Sequence, residues 1–314
     1  MRRRRLELGM SQQELADAMG YRSRSTISKI EAGYSDIPHS KLRDFATVLD
    51  TTLDYLVYGD SVVTMHYEKK TPENEYQKPP RENKNIAVIL AGGKSTRNLQ
   101  NVPNQFVNVY GKPVIIYCME AYQRHPAIDE IYVVCLKGWE DILQAYTQQF
   151  NITKLREILV GGNTGIESVK NAIQYLAKTH SENDSVFLQE ATRPMINEET
   201  ISNAWTCYKQ RGSAVAYLPM TDYIQFFVEP DGKADYIDRN RLYSVQSPET
   251  YSLHTLLEAF AEAESRGFPF NQTCCTMLMH ALGKQHCFYT CGVTNIKIVR
   301  QEDLAIFRAL LKQE

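Results

Sequence analysis

Apolar positions change their spacing along this chain. Up to residue 59 they recur three and four apart: Leu15, Ala18 and Met19, then Ile27 and Ile30, then Leu42, Phe45, Ala46, Leu49, Leu53 and Leu56. That period predicts short amphipathic helices, five of them in a small all-α region over 1–59. From 60 to 85 the periodicity fades past Met65. The stretch is rich in Lys, Glu, Asn and Pro and reads as an exposed linker stiffened by Pro79-Pro80. From 86 to 314, continuous apolar runs such as AVIL (87–90), IYVVC (131–135) and SVFLQE (185–190) alternate with amphipathic stretches. Runs of that kind are strands buried on both faces, so this part is a three-layer α/β domain with a mostly parallel sheet. AVAYLPM to PETY has its glycine only at Asp231-Gly232, which predicts an extended β-arm. CGVTNIKIVRQEDLAIFRALL predicts a last strand and a terminal helix.

The helix ends carry recognisable signals. Ser11-Gln-Gln-Glu14 is a capping box whose helix stops at Gly20. SRSTISKIEAG starts a second helix, with Ser23 or Ser25 as cap and Gly33 as stop. Its open side and front then carry Arg22, Ser23, Arg24, Ser25, Thr26, Ser28 and Lys29. Two short helices with a basic front on the second form a helix-turn-helix. Through residue 29, Arg2, Arg3, Arg4, Arg5, Arg22, Arg24 and Lys29 face only Glu7, Glu14 and Asp17, an excess suited to phosphates. A helical dimerisation module with a solvated basic face is the other reading.

Composition narrows the class without naming it. Hydrophobic content of 43%, charge of 23% and a net charge of −2 describe an ordinary globular chain. No apolar run approaches the roughly 20 residues that cross a bilayer, and no apolar segment follows the N-terminal arginines as a secretory signal requires. Seven cysteines, several in apolar runs, fit reduced buried thiols in the cytoplasm. The Cys and His residues between 274 and 291 lack the spacing of a zinc site.

The chemistry starts at AVILAGGKSTR. A strand opening into Gly92 and Gly93 lets backbone N–H groups face a polyphosphate, and Lys94 and Arg97 compensate its charge. Alone, the segment fits a plain tight turn equally well. Further strand ends bring Gly161-Gly162 ahead of Ser168, then Glu190 and Arg193, then Lys297. Polar groups at the ends of several parallel strands converge on one crevice, where α/β sheets bind ligands.

Two resemblances follow. Residues 9–57 resemble the lambda repressor/Cro type helix-turn-helix, which implies that Arg22 to Lys29 lie along the major groove of double-stranded DNA. Arg4 stands where that family usually has leucine. Residues 86–314 resemble the cytidylyltransferases acting on 2-C-methylerythritol 4-phosphate and on ribitol 5-phosphate, a Rossmann-like nucleotidyltransferase fold. This resemblance implies that Gly92, Gly93, Arg97, Gly161, Gly162 and Ser168 bind the nucleotide, with Lys94 beside them as the second cation of the loop. It assigns Thr221, Asp222, Arg239 and Lys297 to the acceptor, and Arg97, Lys297 and Glu190 to catalysis. It further implies CTP as substrate or ligand, Mg²⁺ held by Glu190, and a homodimer formed through the arm.

Departures from that family fall on the reaction itself. Asn104 stands in place of the lysine of P-K-Q, Glu190 in place of an aspartate, and Cys274 in place of the carboxylate of T-D-x-[AC]. Gly165 replaces an arginine, Tyr223 a threonine, and Ser95 a loop glycine. Losing one charged transition-state contact typically costs about 10²–10³ in rate. The expected protein is therefore a transcriptional regulator whose cytidylyltransferase-like domain binds CTP or a CDP-linked small molecule with an eroded catalytic set. The alternatives are an active CTP-dependent polyol-phosphate cytidylyltransferase fused to a DNA-binding domain, and a dimerisation scaffold with an empty crevice.

Overall fold

The computed structural model describes residues 1–32, 35, 37, 41–51, 56, 83–95, 102–220, 224–270 and 274–312. Arg97, Thr221, Asp222, Tyr223, Leu53, Gly33 and nearly all of the expected linker lie outside the described residues. Contacts divide the chain into two compact units, Met1–Glu75 with Pro219–Leu242, and Tyr76–Leu218 with Tyr243–Glu314.

In the first unit, helices α1 (Arg2–Glu7), α2 (Gln12–Ala18), α3 (Arg24–Glu31) and α4 (Leu42–Val48) are described. The capping box forms as its residues predict: Ser11 Oγ accepts from Glu14 N, and Glu14 Oε2 accepts from Ser11 N. Ser23, rather than Ser25, caps α3. Leu15, Ala16, Met19, Ile27, Phe45 and Leu49 form the core. Ala16 is buried where Ala18 was expected, because the inward stripe of α2 runs through 15, 16 and 19.

The arginine run is not a uniform phosphate patch. Arg5 is buried and bonded to Glu31 and to Met10 O. Arg4 bonds Leu49 O, Asp50 O and Glu7, so α1 is tied to the end of α4. The same unit holds the arm as a hairpin of β8 (Gln225–Val228) and β9 (Ala234–Ile237), turning at Gly232 with φ +87°.

The second unit contains a seven-stranded sheet in the order β11-β7-β10-β6-β1-β4-β5. Its strands are β1 (Asn85–Ala91), β4 (Glu130–Cys135), β5 (Leu155–Val160), β6 (Ser185–Glu190), β7 (Ser213–Pro219), β10 (Tyr243–Ser252) and β11 (Phe288–Thr290). Strands β6, β1, β4 and β5 run parallel, and β10 lies antiparallel beside β6. Short strands β2 (Asn108–Val109) and β3 (Lys112–Pro113) pair separately.

Alternation along the strands splits the core into two layers. Ala87, Ile89, Val133 and Phe187 pack with α5 (Val114–Arg124), α6 (Glu140–Gln149) and α8 (Glu198–Arg211). Ile86, Val88, Val134 and Leu188 pack with α7 (Gly165–Leu176), α9 (Leu253–Ser265) and α10 (Cys275–Ala281). Each fully buried Ile, Leu or Val contributes about 1.5–3 kcal/mol, so the three-layer order follows from the apolar runs. One expectation fails here. The segment from 291 to 300 forms no strand and leads irregularly into α11 (Gln301–Leu311). The carbonyls of Ile298 and Val299 accept from a side chain, Asn104, in place of a strand partner.

Candidate nucleotide-binding cleft

Two glycine turns meet at the strand ends. A Cβ on Gly161 would lie 3.1 Å from Cys135 O and 3.4 Å from Gly92 Cα, and one on Gly162 would lie 2.4 Å from Glu167 Cβ. A side chain at Gly162 would force a shift of its surroundings, and one at Gly161 would crowd the Cys135 carbonyl. Ser168, at the first turn of α7, locks the arrangement: its Oγ accepts from Gly162 N at 3.0 Å and donates to Thr164 O at 2.9 Å. Thr164 caps α7, and Glu167 Oε2 accepts from Asn163 N at 2.7 Å. Nearby, Gln105 Nε2 donates to Ala91 O and Gly93 O, both at 2.8 Å, shaping the first glycine loop.

Above these turns opens a cavity of about 690 Å³. Gly92, Gly93, Lys94, Gly162, Ser168, Glu190 and Lys297 all line it. Gly161 lies against Gly92 beneath. Seven of the expected site residues are thus brought together although they span two hundred positions of sequence. Arg239 is exposed in a short turn after β9, within the unit that holds the arm.

Three charges in the cleft are paired: Glu190 with Arg193 and with Lys297. Arg193 Nε lies 2.7 Å from Glu190 Oε2, and its Nη1 donates to Asn295 O at 2.7 Å. Lys297 Nζ bonds Glu190 Oε1. Burial raises the carboxyl of Glu190, but the charges of Arg193 and Lys297 outweigh it and hold the group below its ordinary value. Lys297, expected as a catalytic and acceptor-binding cation, therefore rests on the carboxylate expected to hold Mg²⁺.

Asn104 lines the cavity and is buried. Its Nδ2 donates to Ile298 O at 3.2 Å and Val299 O at 3.1 Å, fixing the segment that carries Lys297. Sequence reasoning missed both this bolt and Glu249. Glu249 lines the cavity, and its Oε2 accepts from Thr276 N at 2.6 Å and Thr276 Oγ1 at 2.7 Å. Burial pushes its carboxyl up to about 7. The available signal was an acid inside an otherwise buried strand, Ser247 to Tyr251.

A parallel sheet with glycine turns, lysines and carboxylates at its strand ends defines a nucleotidyltransferase domain, here in one chain with a helix-turn-helix. Comparison with known proteins agrees. The 2-C-methyl-D-erythritol 4-phosphate cytidylyltransferase pattern matches residues 85–313, and a helix-turn-helix pattern matches residues 1–56. The chain belongs to the 2-C-methyl-D-erythritol 4-phosphate cytidylyltransferase family.

It is 36% identical over 231 residues to the ribitol-5-phosphate cytidylyltransferase of Lacticaseibacillus paracasei, covering 73% of this chain and 98% of that one. It is 32% identical over 229 residues to the protein of the same name from Vibrio parahaemolyticus, covering 72% and 95%. Among solved structures, 4-diphosphocytidyl-2C-methyl-D-erythritol synthase from Anaerococcus prevotii shares the fold with a TM-score of 0.63 at 20% identity, covering 73% of this chain and 96% of that one. Among the described residues, no helix is long and apolar enough to cross a membrane.

Proposed function

We propose that this chain is a DNA-binding transcriptional regulator of the cytoplasm whose cleft holds CTP or a CDP-linked polyol as a signal, with catalysis reduced. The observation that carries the reading is Asn104. At the position where the family resemblance expects a lysine, a neutral amide is buried and committed to two backbone carbonyls. Triphosphate chemistry then lacks one fixed positive charge near the developing transition state. Binding keeps its supports. The glycine turns allow close approach of base and phosphates, and Lys94 stands exposed at the cleft.

Glu190 would hold Mg²⁺, which when bound offsets triphosphate charge. Its carboxylate oxygens suit a hard ion; the thiol of Cys274 does not. Lys297 would leave Glu190 to meet an acceptor phosphate.

On the other unit, Arg22, Arg24, Ser25, Ser28 and Lys29 are exposed. That face supports insertion into a major groove. The hairpin supports a homodimer. Phe226, Phe227 and Tyr236 are 56%, 55% and 58% exposed on two strands, and an isolated two-stranded ribbon is marginal in water. A dimer would pair two helix-turn-helix modules on a palindrome. Ligand would regulate binding only by favouring one arrangement of the two modules.

The second reading, a working cytidylyltransferase fused to a DNA-binding domain, is favoured by the 36% identity to a ribitol-5-phosphate cytidylyltransferase along nearly its whole length. Pyrophosphate release from CTP, Mg²⁺ and ribitol 5-phosphate separates the two. The regulator reading expects turnover at least a hundredfold below ordinary enzyme rates of about 1–10³ s⁻¹; a rate inside that range defeats it.

A further inference from the structure

One short turn braces the first glycine loop from behind. It is a single helical turn, Asn104–Phe106, and all of its side chains are buried. Phe106 stacks on Trp139 with ring centroids 4.6 Å apart, which seats the turn in the core. Asn104 N donates to Ser95 O at 3.0 Å, and Gln105 Nε2 donates to Ala91 O and Gly93 O, both at 2.8 Å. A carboxamide carries two N–H donors, so Gln105 commits both to the loop at the end of β1.

Those two bonds orient more than two carbonyls. In a trans peptide the C=O and the following N–H point in opposite directions. Holding Ala91 O therefore aims the N–H of Gly92, and holding Gly93 O aims that of Lys94. Ala91 O also accepts from Leu136 N, just past β4, at 3.1 Å. The Gly92 N–H then points to the other side of β1, the side of β6, whose Glu190 lines the cavity. Gly92 and Lys94 line it as well. Among the described residues, neither N–H donates to a protein acceptor.

We propose that Gln105 is the positioning residue of an anion site in this cleft: it turns the N–H groups of Gly92 and Lys94 to receive the phosphate oxygens of a nucleotide. The inference rests on the nucleotide-binding reading and deepens it. Successive backbone N–H groups in a turn make an anion-binding concavity, and the ammonium of Lys94 belongs to the same loop. Gln105 acts through that loop rather than by contact with the ligand. A loop already turned does not have to reorient when phosphate arrives, so less of the binding energy is lost to ordering. The neighbouring Asn104 holds Ile298 O and Val299 O, so the same turn sets the loop against the segment that carries Lys297.

A purely structural role for Gln105 would be to fill the core beneath the loop. Gln105→Met separates the two roles, because it keeps the length of the side chain and removes both donors. The probes are inorganic pyrophosphate, CTP and cytidine, each titrated into the full chain. Gln105→Met is expected to weaken pyrophosphate and CTP at least tenfold and to leave cytidine within twofold, since the nucleoside brings no phosphate to the loop. Pyrophosphate affinity within twofold of wild type overturns the inference. An equal loss for pyrophosphate and cytidine overturns it too, because a merely structural role moves both alike.

If Gln105→Met does not fold, wild type carries the test. Saturating pyrophosphate is expected to shift the backbone amide resonances of Gly92 and Lys94, and unmoved resonances overturn the site. The outcomes keep the two readings apart. CTP binding by wild type that Gln105→Met leaves intact sinks this inference alone. Pyrophosphate binding that falls tenfold in Gln105→Met, with no binding of CTP or cytidine by wild type, sustains the anion site and sinks the nucleotide reading alone. A wild type silent to all three probes defeats both.

Discussion

Arg5 Nε lies 2.7 Å from Glu31 Oε1 and its Nη2 3.1 Å from Oε2, a two-pronged ion pair that joins α1 to the last residue of α3. The side chains are 7% and 3% exposed. Burial raises the Glu31 carboxyl, but bonds from Arg5 and Gln12 outweigh it and hold it below its ordinary value. A carboxylate lowered in the folded state adds stability above its unfolded value and loses it as pH falls through the folded one. Removing one partner of a buried pair costs about 3 kcal/mol. Glu31→Gln is therefore expected to destabilise the helical unit by about that amount at pH 7, with a penalty that shrinks below about pH 4. Urea melts at the two pH values check it, and an equal penalty at both speaks against the pair.

Exposed cations on α3 lead to a salt-dependent outcome. Each phosphate contact contributes a slope of about −0.9 in log K against log salt. Arg24→Ala with Lys29→Ala is expected to weaken binding of this chain to its operator DNA and to flatten that slope by roughly two contacts. Anisotropy titrations between low and moderate salt measure both. Undiminished retention by the double variant would mean that the basic face of α3 does not meet phosphate.

Asn104 acts on Lys297 through the backbone. Asn104→Ala leaves the carbonyls of Ile298 and Val299 without their donor. A buried acceptor left unsatisfied costs about 1–3 kcal/mol. A loss of that size is expected in global melts, with faster amide exchange over 297–300. Unchanged exchange there would show that the segment is held by other contacts.

Gly162 tests the glycine turn. A methyl group at Gly162 would meet Glu167 Cβ at 2.4 Å, so Gly162→Ala forces apart the turn and the first residues of α7. Overpacking of this kind costs about 1–3 kcal/mol. Calorimetric CTP titration is expected to show at least a tenfold loss while the remaining fold persists by circular dichroism. Full CTP affinity would place the nucleotide elsewhere.

Much of this molecule was legible as pattern. The apolar runs of β1, β4 and β6 and the amphipathic spacing of α7 are local signals, and they gave the layer order. The capping box at Ser11 and the glycine turns at 92 and 161 are local as well. Other features were not legible. Nothing around Arg5 distinguishes it from Arg2 or Arg3 until α3 brings Glu31 against it. Asn104 reads as a lost lysine, yet the structure gives it two carbonyls about 195 positions away. Glu249 carries no motif. Its place in the cleft depends on β10 pairing antiparallel with β6, a register that no short stretch encodes. The strand expected around Asn295 failed because an apolar run near a sheet does not specify a hydrogen-bonding partner.

The sequence by itself determined two modules, their classes and the glycine loops that border the cleft, because period, capping and tight turns depend on neighbours within a few residues. The tertiary structure decided which charges are available. It committed Arg5 to Glu31, Lys297 to Glu190 and Asn104 to the backbone, and it set Glu249 beside Glu190. Burial and pairing are properties of side chains that meet only after the chain has folded, and in a medium of low dielectric those meetings decide what each charge can do.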